Sequence, residues 1–192
     1  MDFESRQRAR GDVVVNLIDK DGNIVQSIHK LNHLVNWGKH LLAKTLLGET
    51  GGAALNEIRL GTDNAGENDE TLDDLKSKWR ISYPIADANK SGHVISSEGE
   101  EEQLDGIVIN ITINPTQADL QREDLEEIDD TDQETFKDRA PIRELGLFYS
   151  TGEENAKVHM FSRVILPNAA IIDQNLGLQV IWTITFLAYT KE

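Results

Sequence analysis

The residues of this chain that could hold a metal or act as general acid and base are chiefly its histidines and carboxylates. There is no cysteine, so thiolate nucleophiles, thiolate metal ligands and disulfides are excluded. The histidines are His29, His33, His40, His93 and His159, and they are scattered along the sequence. His33 and His40 fall in a helical pattern at a separation that lets them share a face. No HExxH spacing or carboxylate partner accompanies them, so they read as partly exposed side chains rather than ligands. Carboxylates are abundant enough for a pair to mimic a glycosidase dyad. Nearly all of them sit in charge runs, where solvation explains them better. DKDGN at 19–23 opens like a calcium loop but lacks the later ligands and the closing Glu, and TDNAGENDE at 62–70 has oxygens without a calcium register. Both read as turns. No Gly-rich phosphate loop and no nucleophile elbow is found. The sequence therefore assigns no catalytic residue, no cofactor-binding residue and no metal ligand, and points away from an enzyme.

Charge offers a different chemistry, that of contacts between proteins. The net charge is −15. Residues 96–140 hold 15 acidic side chains against Arg122, Lys137 and Arg139, so that segment carries −12 of it. A surface this negative repels phosphate and argues against nucleic acid as a partner. The interface candidates are Glu100, Glu101, Glu102, Glu123, Asp124, Glu126, Glu127, Asp129 and Asp130 in that segment, with Arg6, Arg8 and Arg10 in the one basic run. The acidic residues would meet a basic neighbour and set register. The basic run would dock on an acidic surface.

The elements that must position these groups are mostly strands. Asp12 to Ile18 and Asn23 to His29 flank Asp21-Gly22, giving a hairpin. Asn32 to Gly48 carries a helical stripe of Leu34, Val35, Leu41, Leu42 and Leu46, with Asn32 as expected N-cap and Gly48 as stop. Asn56 to Leu60, Trp79 to Ile85 and His93 to Ser97 read as short strands, and Leu72 to Lys78 as a turn of helix. Gly106 to Asn114 alternates Ile107, Ile109, Ile111 and Ile113 with more polar residues, the signature of a half-buried strand. Three long strands in a meander follow, at Pro141 to Ser150, Lys157 to Leu166 and Leu176 to Thr190. Trp37, Trp79 and Trp182 lie on apolar faces and are expected in the core.

The expected fold is mainly β: an antiparallel β-sandwich of about eight to ten strands with one packed α-helix at about 33–47. Residues 1–11 read as an N-terminal arm and 12–192 as one sandwich domain with an acidic insertion at about 96–140. No apolar stretch reaches the roughly 20 residues of a spanning helix, so no membrane insertion is expected. The N-terminus lacks the apolar segment of a secretion signal, so the chain is expected to stay inside a cell until released.

Several stretches together resemble small bacteriophage tail-associated structural proteins. They are LNHLVNWGKHLLAKTLLG at 31–48, IRLGTDNAG at 58–66, the segment Leu72 to Arg80, PIRELGLFYS at 141–150, MFSRVILPNA at 160–169 and LGLQVIWTITF at 176–186. The shared pattern is an "LGTG-like" turn, an "I-x-E-x-G-L" strand, an "F-x-R" strand and a closing "W-x-I-x-F" strand. Two departures stand out: the turn reads Leu60-Gly61-Thr62-Asp63, and the acidic segment is long. The resemblance implies a non-catalytic component of a virion tail, in the baseplate, neck or collar, or fibre-attachment region. Its implied partners are other virion tail proteins and further copies of itself, as a trimer or hexamer. No receptor-site residue can be carried over. Two other readings stand beside it: a receptor- or carbohydrate-binding β-sandwich module, which needs exposed aromatics in a groove, and a polysaccharide hydrolase, which needs a carboxylate pair in a cleft.

Overall fold

A computed structural model describes residues 8–49, 51–65, 69–77, 80–98, 101–120, 138–151 and 156–187. Among the described residues nine strands are present: β1 (Arg8–Ile18), β2 (Ile24–Leu34), β3 (Ala54–Gly61), β4 (Arg80–Pro84), β5 (Lys90–Glu98), β6 (Glu101–Ile113), β7 (Arg139–Ser150), β8 (His159–Asp173) and β9 (Gly177–Leu187). Two α-helical segments among the described residues accompany them, α1 (Asn36–Leu46) and the single turn α2 (Gln117–Leu120), with a 3-10 turn at Asp87–Asn89.

Every pairing is antiparallel, and the strands form two layers. The first sheet runs β2-β1-β9-β6-β5 and the second β4-β3-β7-β8. Strand β2 joins them: most of it pairs with β1, while His33 and Leu34 pair with Arg163 and Ser162 of β8. The sandwich expected from the alternating apolar residues is present.

Alternation builds the core directly. On the first sheet, Val13, Trp182 and Ile109 lie in one row across β1, β9 and β6; Val15, Val180 and Ile111 form the next, and Leu17, Leu178 and Ile113 the third. All nine are buried, and they join Ile58, Leu60, Leu145, Leu147, Val164 and Ile172 of the second sheet in one cluster. A buried aliphatic side chain contributes about 1.5–3 kcal/mol, so this shared layer is what holds the two sheets face to face.

Several local expectations are corrected. The helix begins at Asn36, and its N-cap is Val35 with no side-chain cap bond. Asn32 lies in β2 instead, where its amide donates to the Ser162 hydroxyl. The pattern LNHLV suits a helix start, but pairing with β1 and β8 holds these residues extended. His33 is accordingly a strand residue and shares no helix face with His40. The helix does stop at Gly48 (φ 73°), where Gly48 N–H donates to Thr45 O and Glu49 N–H to Lys44 O, a Schellman ending. Leu72 to Ser77 is a run of bends, not helix, and Lys78 lies outside the described residues. The C-terminal strands are not a simple meander, since β7 and β8 pair but β9 crosses to the first sheet between β1 and β6. Arg8 and Arg10 belong to β1, so the arm does not extend to residue 11. The segment 96–140 is not one insertion, because β6 runs through it as an interior strand.

Candidate functional site

The expected interface residues are only partly placed. Arg8 and Arg10 occupy β1 opposite Leu187 and Thr185. Glu101 and Glu102 occupy β6 opposite Glu98 and Ser97, in the hairpin that β6 makes with β5. Since Arg10 and Gly106 both align with Thr185, the basic run and the acidic hairpin lie at the same end of the first sheet, with β9 between them. Arg6, Glu100, Glu123, Asp124, Glu126, Glu127, Asp129 and Asp130 lie outside the described residues.

A cluster that sequence reasoning missed sits on the outward side of the second sheet. Glu144 of β7 is 0% exposed and Arg163 of β8 is 3% exposed. Arg163 Nε and Nη2 donate to Glu144 Oε2 at 2.9 and 2.6 Å. Arg163 Nη2 also donates to Ala65 O at 2.8 Å, and Ser77 N–H donates to Glu144 Oε1 at 2.7 Å. Ser77 Oγ in turn lies 3.0 Å from Thr62 N and 2.9 Å from Thr62 Oγ1. One ion pair thus ties β7 and β8 to both ends of the loop between β3 and β4. Burial pushes the Glu144 carboxyl up, and the Arg163 guanidinium and the backbone N–H donors pull against that shift.

The glycines of the same motifs make room for this arrangement. A Cβ at Gly61 would lie 2.7 Å from Glu144 Oε1, and one at Gly146 would lie 2.6 Å from Phe148 Cε2 and 2.9 Å from Leu75 Cδ2. At Gly38, in the helix motif, a Cβ would fall 2.0 Å from the Phe161 carbonyl oxygen, so α1 rests directly on the backbone of β8. The loop brings Leu75 onto Phe148 and Met160, which with Val35 form a second, smaller core. Beside it, Arg59 stacks over the Phe148 ring at 4.2 Å and bonds to Glu57 and Asp74, and Arg80 donates to Asp74 at 2.9 Å. The chemistry available here is structural: a charged, covered face.

Trp37 packs on both cores, with the His159 ring 3.9 Å from its own and His40 edge-on at 5.7 Å. His159 Nδ1 is buried and has no hydrogen-bond partner. Desolvation, with the nearby Lys157 and His40 charges, lowers the His159 pKa against an opposing pull from Asp73. Trp182 is fully buried, and Trp79 lies outside the described residues. Among the described residues no three His, Asp or Glu side chains converge in a group able to hold a metal. The loop at 19–23 is a turn: Asp19 Oδ1 accepts from the N–H groups of Asp21 and Asn23. An open depression lined by Asp138, Arg139, Asp173, Gln174 and Asn175 lies beside the β8–β9 turn.

The outward side of the first sheet has the opposite character. Its middle row across β2, β1, β9 and β6 is His29, Val14, Ile181 and Asn110. One neighbouring row is Ser27, Asn16, Gln179 and Thr112; the other is Leu31, Asp12, Thr183 and Val108. A chain of side-chain hydrogen bonds crosses four strands: Ser27 Oγ to Asn16 Oδ1 (2.7 Å), Asn16 Nδ2 to Gln179 Oε1 (3.0 Å) and Gln179 Nε2 to Asn110 Oδ1 (3.3 Å). Asp12 is the single formal charge in the three rows, and His29 Nε2 lies 3.1 Å from it.

No helix among the described residues is long and apolar enough to cross a membrane. No protein-family description, no curated protein sequence and no solved structure matches the chain.

Proposed function

We propose that this chain is a non-catalytic structural component of a bacteriophage tail, in the baseplate, neck or collar, or fibre-attachment region, acting through contacts with other tail proteins and with its own copies. The observation that carries this reading is where the motif residues meet. The "LGT" turn supplies Gly61 and Thr62, the "I-x-E-x-G-L" strand Glu144 and Gly146, and the "F-x-R" strand Arg163; Glu144 and Arg163 form one buried ion pair, and the other three lie around it. The motif spacing on which the resemblance rests therefore encodes one spatial unit, which supports treating the resemblance as that of a fold with its loop. The site's chemistry is consistent with assembly, since its polar groups are used in holding a loop.

A carbohydrate- or receptor-binding module would need open aromatic rings. Trp37 gives one ring face to His159 and Trp182 is buried, so neither favours that reading.

Reconstitution tests the proposal. The purified chain mixed with the other tail proteins should join a symmetric complex, and cryo-electron microscopy of that complex should show which neighbours it touches. A chain that stays alone through every assembly step would count against the reading. Removing residues 121–136 should block incorporation and leave the sandwich folded; the cut begins after Leu120, which is buried.

A further inference from the structure

We propose that the outward face of the first sheet docks on the same face of a second copy of this chain. The inference rests on the assembly reading for its setting, but its evidence is the chemistry of the face.

Charged residues make up 28% of the sequence, so three adjacent rows with one formal charge, itself beside an imidazole, are out of character for a solvated surface of this chain. The residues in their place are β-branched aliphatics and threonines, with carboxamides in the ladder between them. Val14, Ile181 and Val108 are half-buried, and Leu31 is 47% exposed at the edge of the face. No described loop or helix builds a hydrophobic cluster on this side, whereas the loop after β3 does so on the outward side of the second sheet.

Two features select a second copy as the occupant. Each molecule carries −15, so two copies repel wherever their acidic surfaces approach, and a neutral face is where that repulsion is least. Carboxamides are also self-complementary: each is donor and acceptor at once, so the accessible amides of the ladder, Gln179 and Asn110, can pair with their own image without a charged partner. A two-fold axis through the face would place the ladder of one copy against that of the other.

Area sets the strength. Strands about 4.8 Å apart and outward rows about 7 Å apart give a face of about 400 Å² per copy. A standard stable interface uses about 800 Å² per partner. Alone, the contact should therefore be weak and visible only at high concentration; in a closed ring a second contact would reinforce it.

Sedimentation velocity on the full chain, up to about 300 µM and at low and high salt, tests this. Self-association should rise with concentration and strengthen with salt, because salt screens the −15 repulsion. Docking of Arg6, Arg8 and Arg10 on an acidic segment would weaken with salt instead. Thr112→Glu and Asn110→Lys, both at exposed positions, should each abolish association while the circular dichroism stays unchanged and the thermal transition falls no further than loss of the one exposed bond from Gln179 to Asn110 explains. The lysine variant is decisive, because it lowers the net negative charge and would promote association if overall charge were the cause. A wild-type chain monomeric throughout, association that falls with salt, or variants that associate like the wild type would each overturn the proposal. So would binding of another tail protein or a glycan at this face in place of a copy. A chain that self-associates here yet joins no tail complex would instead sink the assembly reading and leave the face standing.

Discussion

The two outward faces of the sandwich solve the same problem in opposite ways. Behind the second sheet the chain puts charge and then covers it: Glu144 and Arg163 lie under the loop from Thr62 to Ser77, and Arg59 and Asp74 flank it. Across the three rows behind the first sheet it puts one formal charge, and no described loop or helix builds a hydrophobic cluster over them. The difference shows that burial and charge need not oppose each other along a strand. A buried ion pair is tolerated where a loop can supply N–H and carbonyl partners to complete it. A neutral row is tolerated in the open where amides hydrogen-bond one another.

Breaking the covered face should have the largest effect. Glu144→Ala would leave the Arg163 guanidinium buried without its carboxylate and free the Ser77 amide, so a loss of about 3–5 kcal/mol is expected. Urea unfolding measures it. Replacing both residues together with apolar side chains of similar volume should recover most of that loss, because the net worth of a buried pair is small. A single-variant loss below about 1 kcal/mol would mean that the pair does not hold the loop.

Next in size is the tight approach beneath the same loop. In Gly61→Ala the new methyl would meet Glu144 Oε1 at 2.7 Å and Ser77 Cβ at 2.8 Å, so the loop must shift. Overpacking of this kind costs about 1–3 kcal/mol. The thermal transition should fall, and proteolysis should begin in the loop at 62–77 before the sheets open. An unchanged transition with an intact loop would show that the loop rides freely over β3.

The same deletion logic applied to the neutral face should cost less. Asn16→Ala removes the bond from Ser27 and the bond to Gln179 at the centre of the ladder. Both former partners lie nearer solvent than Asn16, which is 5% exposed, so water can replace the lost bonds. About 1 kcal/mol is expected. A loss as large as that of Glu144→Ala would erase the contrast between the faces and suggest that the ladder is a buried network.

How far this contrast can be read from sequence depends on distance along the chain. Strands β6 and β9 were legible because Ile107 to Ile113 and Leu178 to Ile184 alternate, and a period of two needs no partner to be seen. The end of β2 was not, since Leu31, Leu34 and Val35 suit the start of a helix as well as a strand. The placement of β9 was not either, because a strand's sheet is decided by distant partners. Arg163 left a faint signal as a lone charge inside an apolar run, and Glu144 a fainter one because Arg143 stands beside it, but their shared loop lies at least 67 residues before Glu144. The neutral face left none: Asn16, Gln179 and Asn110 become neighbours only once three strands are in register. The interface residues named from charge alone drew attention to the ends of the first sheet and away from its face.

The smallest expected effect lies where the two cores meet, at Trp37. His159 is held against the indole at 3.9 Å with its Nδ1 buried and unpartnered, and its pKa is lowered below the ordinary 6.5, first by desolvation and then by Lys157. The folded chain therefore binds fewer protons here than the unfolded chain between the lowered value and 6.5. Stability from this group is fully present above about 6.5 and is lost as the pH falls through the folded-state value. His40 acts in the same direction as Lys157, while Asp73 opposes them. Urea unfolding at about pH 7.5 and pH 5.5 should show a drop in wild-type stability that His159→Phe makes smaller, because phenylalanine keeps the ring against Trp37 but cannot be protonated. Trp37 should report the same step locally, with its emission changing as the imidazole charges. If the wild type and His159→Phe lose stability equally over that range, the dependence belongs to the carboxylates, and the junction between the covered and inner cores is indifferent to pH.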